Sequence, residues 1–163
     1  MNIVIFPNPV LREKSKTVAV FGGPLASFTR RLTEFMYINK GCVGIAAPQT
    51  GEASRIVVVD ATGHKKVPKA SGLLVMVNPE IITSVGSCVN REGCLSVQDF
   101  TGNVERASEV KVRYQDVNGK QQTLETSGFE AVILQHEIDH LDGVLFIDRV
   151  RNSKRDLFKR KSF

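Results

Sequence analysis

The segment from Phe129 to Leu141 constrains this chain more than any other, because its apolar residues recur with a helical period on two nearly opposite sides. At about 3.6 residues per turn, Phe129, Val132, Ile133, His136 and His140 share one stripe, while Ala131, Leu134, Ile138 and Leu141 share the other. A helix apolar on both sides does not lie on a surface; it runs through the middle of a molecule with other layers against it. Ser127-Gly128-Phe129-Glu130 has the spacing of a capping box, which predicts a start at residue 128 or 129, and Gly143 supplies a stop.

The rest of the chain supplies the layers. Leu25, Phe28, Leu32, Phe35 and Met36 predict a second helix over 25–39, with Pro24 in its first turn and Gly41 as its terminator. Arg55–Asp60, Leu73–Asn78 and Glu80–Val85 are β-branched runs bounded by Gly, Pro and Asn, and read as strands. Glu109–Tyr114 alternates polar and apolar residues and Gln121–Glu125 returns, with Asn118-Gly119 predicting a type I′ hairpin turn between them. Pro7-Asn8-Pro9 leads into the fold as a turn, and Thr62–Lys69 is a polar, mobile loop. Strands without regular βαβ alternation predict an α+β fold, with mixed or antiparallel sheets packed around the central helix. At 163 residues the chain holds one domain, taken as residues 1–150, followed by a short basic tail over 151–163.

Charge and cysteine usage narrow the function classes. Seven of the 22 Lys/Arg and one of the 17 Asp/Glu lie in residues 149–163, leaving 15 cations against 16 anions in residues 1–148. A neutral body with a basic end argues against a DNA-reading domain and allows at most docking on an anionic surface. Three cysteines, Cys42, Cys88 and Cys94, suit a reducing compartment rather than a disulfide scaffold, and Cys88 reads as a packing residue. No apolar run reaches the roughly 18 residues of a membrane span, so a cytoplasmic protein is expected.

The chemistry sits on the central helix. His136-Glu137-Ile138-Asp139-His140 is His-Glu-x-x-His, in which two imidazoles four residues apart take adjacent corners of a metal site and the glutamate projects beside them as a base. No third ligand follows at the short spacing of the extended zinc-protease motif, so it comes from elsewhere. His64, in the polar loop, is a poor candidate; Cys94 in Glu92-Gly93-Cys94-Leu95-Ser96 is a better one. The spacing alone points to zinc.

Three motifs together make the chain similar to bacterial peptide deformylases. Cys42-Val43-Gly44-Ile45-Ala46-Ala47-Pro48-Gln49, Glu92–Ser96 and His136–His140 match that family's three signatures in order, and the similarity runs from Pro7 to about Val150. The resemblance implies a hydrolase that removes the formyl group from N-terminal formylmethionine of newly made polypeptides, releasing formate. It implies that Cys94, His136 and His140 hold one divalent ion, Fe2+ by expectation, with Zn2+, Ni2+ or Co2+ able to substitute; a thiolate and two neutral imidazoles leave the site near +1. Glu137 is then the acid–base residue, while the Gln49 amide and the Leu95 backbone N–H face the developing oxyanion. Val43, Gly44, Glu92, Phe129, Val132 and Ile133 are the expected substrate-binding residues, with Gly44 offering its backbone to an extended peptide. A monomer is expected, and the basic tail has a second reading as a ribosome contact.

The sequence departs from the family pattern in places. Cys42 stands where the first motif has glycine, and Asn90 and Ser96–Thr101 lack side chains that many deformylases carry there, which leaves peptide preference open. Two alternatives also stand at this stage. A general metallopeptidase is opposed by the cysteine ligand and Gln49, and a catalytically weak or idle metal-binding homologue is opposed by the intact Glu137.

Overall fold

Residues 1–161 are described by the computed structural model; residues 162 and 163, the last two of the expected basic tail, lie outside them. Two α-helices, α1 (Gly23–Ile38) and α2 (Gly128–Leu141), pack with eight strands: β1 (Gly44–Ala46), β2 (Ile56–Val59), β3 (Leu74–Val85), β4 (Cys88–Cys94), β5 (Val97–Arg106), β6 (Glu109–Gln115), β7 (Gln121–Ser127) and β8 (Leu157–Lys159). The strands form a five-stranded sheet in the order β1-β2-β3-β6-β7 and a three-stranded sheet in the order β4-β5-β8. Every pairing between these strands is antiparallel.

Strand β2 shows why the larger sheet has helices on both sides. All four of its residues, Ile56-Val57-Val58-Val59, are buried, and successive side chains point to opposite faces. Val57 and Val59 pack with Ile133, Leu134, Ile138 and Leu141 of α2. Ile56 and Val58 pack with Leu25, Leu32 and Met36 of α1. A third cluster, containing Leu11, Cys94, Val97, Val104, Leu145 and Phe146, backs the smaller sheet. Ten of the 14 residues of α2 are buried, including both histidines and Glu137.

Several local expectations are corrected. α1 begins two residues early and ends at Ile38, where Asn39 rather than Gly41 closes it by donating its side-chain amide to Phe35 O at 2.7 Å. The predicted pair Leu73–Asn78 and Glu80–Val85 is one strand, β3, running through a bulge where Asn78 takes φ 52°. The hairpin between β6 and β7 is present, but among the described non-glycine residues only Asn78 has positive φ, so Asn118 does not make a type I′ turn. Asp116 builds a longer loop instead, its Oδ1 accepting from the amides of Asn118 at 2.9 Å and Lys120 at 3.0 Å.

The capping box is also absent. Ser127 makes no side-chain cap to α2. Glu130, 1% exposed, accepts from the Ser71 amide at 2.8 Å, the Ser71 hydroxyl at 2.5 Å and the Thr126 hydroxyl at 2.8 Å. A buried carboxylate needs such partners more than a helix end does. They tie down the segment after residue 61, where Val67 is also buried beside Leu74, so the polar loop is anchored. α2 itself stops at Leu141, with Gly143 at φ 72°; a Cβ there would lie 2.4 Å from Arg12 O.

The segment after Val150 adds a strand. β8 pairs with β5 through Phe100↔Lys159, Thr101↔Phe158 and Gly102↔Leu157, which places residues 157–159 of the basic end in the smaller sheet. No described helix is long and apolar enough to cross a membrane.

Candidate metal centre

Helix α2 and the end of β4 bring three ligand side chains together. The donor atoms of Cys94, His136 and His140 all lie within 4.8 Å of one another, and Cys94 Sγ is 3.4 Å from His140 Nε2. A tetrahedral site with ordinary metal–sulfur and metal–nitrogen bonds separates such a pair by about 3.5 Å. The Cys94–His140 pair therefore already has the spacing of two ligands on one divalent ion, with the His136 donor within 4.8 Å of both. His64, the candidate set aside on its setting, stacks on Phe129 with ring centroids 4.9 Å apart.

The surroundings fix the ligands in place. His136 Nδ1 is 2.8 Å from Glu92 Oε1, and Arg106 grips the same carboxylate, Nε to Oε2 at 2.5 Å and Nη2 to Oε1 at 2.8 Å. Arg106 also donates to Asp139 Oδ2 at 2.9 Å, and Arg149 closes on Asp139 from outside at 2.5 and 2.8 Å. Burial on its own would raise Glu92, but Arg106 and His136 overcome it and hold the carboxyl at about 2. Glu92 borders the cavity, yet both its oxygens are occupied by Arg106 and His136; its contacts are those of an imidazole-orienting group rather than the expected substrate contact. Arg106 carried no signal in the sequence, because only the pairing of β4 with β5 brings it beside Glu92 and the helix.

The other groups differ in what holds them. Burial pushes the Glu137 carboxyl up to about 7, with His136 working against the rise, and its Oε2 is buried without a hydrogen-bond partner. Burial opposes charge on His136, but Cys94 and Glu92 more than offset it and raise it well above the ordinary range. His140 is driven the other way, well below its usual range, by burial and by His136. Gln49, 2% exposed, is locked through Oε1 to the Ala46 amide at 3.0 Å, while its Nε2 donates to Ser96 Oγ at 3.2 Å and Cys94 Sγ at 3.3 Å.

A cavity of about 300 Å³ opens over this cluster, lined by Gln49, Cys94, Leu95, His136 and Glu137. Phe129, Val132 and Ile133 form an apolar part of its wall, and Val43 and Gly44 form another. β1 is an outer strand of its sheet, and Gly44 is required there by contact rather than by φ: a Cβ would lie 2.9 Å from Glu137 Oε1 and 3.0 Å from Ile133 Cγ2. Cys42 also lines the cavity and donates its thiol to Gly44 O at 3.1 Å; burial, and then Glu137, push that thiol up to about 12. Lys40, Arg91 and Arg160 complete the wall and were not singled out as site residues.

Comparison with known proteins agrees with this geometry over nearly the whole chain. The family model for polypeptide deformylase matches residues 1–156. The peptide deformylase of Desulfotalea psychrophila is 42% identical over 161 residues, 99% of this chain and 94% of that protein, and that of Brucella suis is 43% identical over 162 residues, covering 98% and 89%. Among solved structures, the peptide deformylase of Thermotoga maritima superposes with TM-score 0.84 at 38% identity, over 93% of this chain and 97% of that one. The Legionella pneumophila deformylase gives 0.85 at 39% identity, over 94% and 88%. The chain therefore belongs to the polypeptide deformylase family, hydrolases that remove the N-formyl group from nascent polypeptides.

Proposed function

We propose that the chain performs this hydrolysis at the cavity over α2, with the His-Glu-x-x-His helix as the centre around which both sheets pack. Cys94, His136 and His140 hold a divalent ion, ferrous iron in the cell, with zinc, nickel or cobalt able to take its place. When bound, such an ion supplies Lewis acidity, which makes a water nucleophilic near neutral pH. Glu137 takes a proton from the attacking water and returns it to the departing amine nitrogen. A buried carboxylate next to the ligand cluster, with one oxygen left unpartnered, is placed for both tasks. A Gln49 Nε2 N–H, exchanging its Cys94 Sγ contact for the substrate, and the Leu95 backbone N–H stabilise the oxygen that becomes negative as the formyl carbon turns tetrahedral.

Phe129, Val132 and Ile133, with Val43, receive the methionine side chain, and Gly44 lets the peptide backbone approach the outer edge of β1. The products are formate and a free amino terminus. The substrates are formylmethionyl nascent chains, met in the cytoplasm by a monomer, and the basic residues of 151–163 supply a salt-sensitive ribosome contact.

The observation that carries this reading is the buried, unpartnered Oε2 of Glu137 in the same cavity as the ligand cluster. The test is formate release from formyl-Met-Ala-Ser by protein prepared anaerobically with ferrous iron or with nickel. Activity that falls by about 10² or more in Glu137→Ala supports it. One metal per chain with no formate released would overturn it.

A further inference from the structure

One wall of the cavity is held by residues that do not line it. Phe129, half-buried at the start of α2, borders the cavity with Val132 and Ile133. His64 stacks on its ring, with centroids 4.9 Å apart and planes 19° from parallel. Lys66 Nζ stands 4.8 Å from the centre of the same ring. Neither His64 nor Lys66 is among the lining residues, so both reach the cavity only through Phe129.

The segment that carries these two residues is itself fixed. The His64 amide donates to Ala61 O at 3.0 Å, and the Val67 amide donates to His64 O at 2.9 Å. The Lys66 amide donates to His64 Nδ1 at 3.1 Å, which sets the plane of the imidazole. Val67 is buried in the cluster that contains Ile133 and Leu134, and Ser71 is bonded to Glu130, the residue next to Phe129. A phenylalanine held flat against a second fixed ring keeps one rotamer, whereas a bare one explores the other staggered positions. At this wall a change of rotamer changes the width of the apolar space, and a pocket discriminates between side chains only as sharply as its walls are fixed.

We propose that His64, by stacking on Phe129, is a positioning residue that fixes the width of the methionine pocket and so sets its selection of methionine over a bulkier side chain. The inference rests on the deformylation and the pocket assigned above, and adds the element that sharpens its selectivity. Lys66, an exposed residue, supports the same ring through a weaker cation–π contact.

The test compares kcat/KM of the iron- or nickel-loaded enzyme for formyl-Met-Ala-Ser and formyl-Phe-Ala-Ser in the parent, His64→Ala, His64→Phe, Phe129→Ala and the double variant His64→Ala with Phe129→Ala. The readout is the methionine-to-phenylalanine ratio, which a general loss of stability or metal does not move. His64→Ala is expected to lower it about three- to tenfold, the size of one aromatic pair. His64→Phe keeps a flat ring and is expected to restore it to within about twofold of the parent. Phe129→Ala should lower the ratio as well, and adding His64→Ala to it should change nothing further, because the histidine acts through that ring. Affinity for the deformylated products Met-Ala-Ser and Phe-Ala-Ser, measured without turnover, should follow the same pattern. A ratio unchanged in His64→Ala, one lowered equally in His64→Phe, or a further fall in the double variant overturns the role of His64. A ratio unchanged in Phe129→Ala would overturn the pocket assignment itself. No formate from either peptide in the parent would instead overturn the deformylase reading, and the product affinities would still decide what His64 does.

Discussion

Glu92 Oε1 lies 2.8 Å from His136 Nδ1, which places the imidazole proton on Nδ1 and leaves Nε2 free to bind a cation. Glu92→Gln weakens that orientation while keeping the shape. The expected result is metal affinity or formate release lower by about 10- to 100-fold, read by metal competition and by turnover. Unchanged values in both would show that the hydrogen bond does not set the ligand.

The partner that makes Glu92 tolerable is Arg106, with its side chain 3% exposed and that of Glu92 4% exposed. Arg106→Ala strands a buried carboxylate and should lower unfolding free energy by about 3–5 kcal/mol. The double variant Arg106→Met with Glu92→Met should lose less, because no isolated charge stays behind. Urea unfolding of the single and double variants makes the comparison. The sign with pH follows from the lowered Glu92 carboxyl: the contribution is present above the ordinary carboxylate range and is lost as pH falls toward 2.

Gly44→Ala should separate folding from chemistry. The new methyl meets Glu137 Oε1, Glu137 Cγ and Ile133 Cγ2 at 2.9–3.0 Å, so the carboxylate has to move. Displacing a reacting group by about an ångström costs up to about 10² in rate. The expected outcome is a folded, metal-loaded protein with kcat reduced by that order, seen by turnover alongside circular dichroism. Full activity would place Glu137 outside the reaction.

Cys42 should be chemically quiet despite lining the cavity. With its thiol raised to about 12, the thiolate fraction at pH 8 is on the order of 10⁻⁴. Iodoacetamide at pH 8 should leave Cys42 unmodified in the folded holoenzyme, with the rate rising tenfold per pH unit above that. Peptide mapping after timed alkylation reads this directly, and rapid labelling at pH 8 would refute it.

Removing the metal should loosen the fold as a whole. Cys94 and His140 are 46 residues apart in sequence and belong to different layers, so a shared ion ties β4 to α2. Metal at 100 times its dissociation constant adds about 2.7 kcal/mol to stability. For a chain of this size that corresponds to a Tm drop of about 5–10 °C on chelation, measurable by calorimetry. An unchanged Tm would mean that the three donors do not bind the ion together.

Much of this architecture is legible in the residues, for identifiable reasons. Period and spacing locate α2 and place His136, Glu137 and His140 on it, because helical geometry is local. Where a side chain had two possible partners, sequence chose the nearer one: Glu130 matched a capping box with Ser127, whereas burial sends it to Ser71 and Thr126. Asn118-Gly119 matched a two-residue turn, whereas the Asp116 side chain stabilises a longer one. The Arg106–Glu92 pair and the wall formed by Arg91 and Arg160 depend on strand register between distant segments, which no local pattern encodes.

The five-stranded sheet also partitions the molecule's tolerance to change. Ile56 and Val58 face α1, and Val57 and Val59 face the helix that bears the ligands. Sites separated by about 7–10 Å without shared partners respond to substitution independently. The α1 layer is not wholly separate, because Leu25, Leu32 and Met36 share their cluster with Ile45, Ala47 and Cys42, which flank Gly44 and Gln49 at the cavity. For anyone engineering this enzyme, changes in α1 that spare the β1 contact are the ones that adjust heat resistance without renegotiating catalysis.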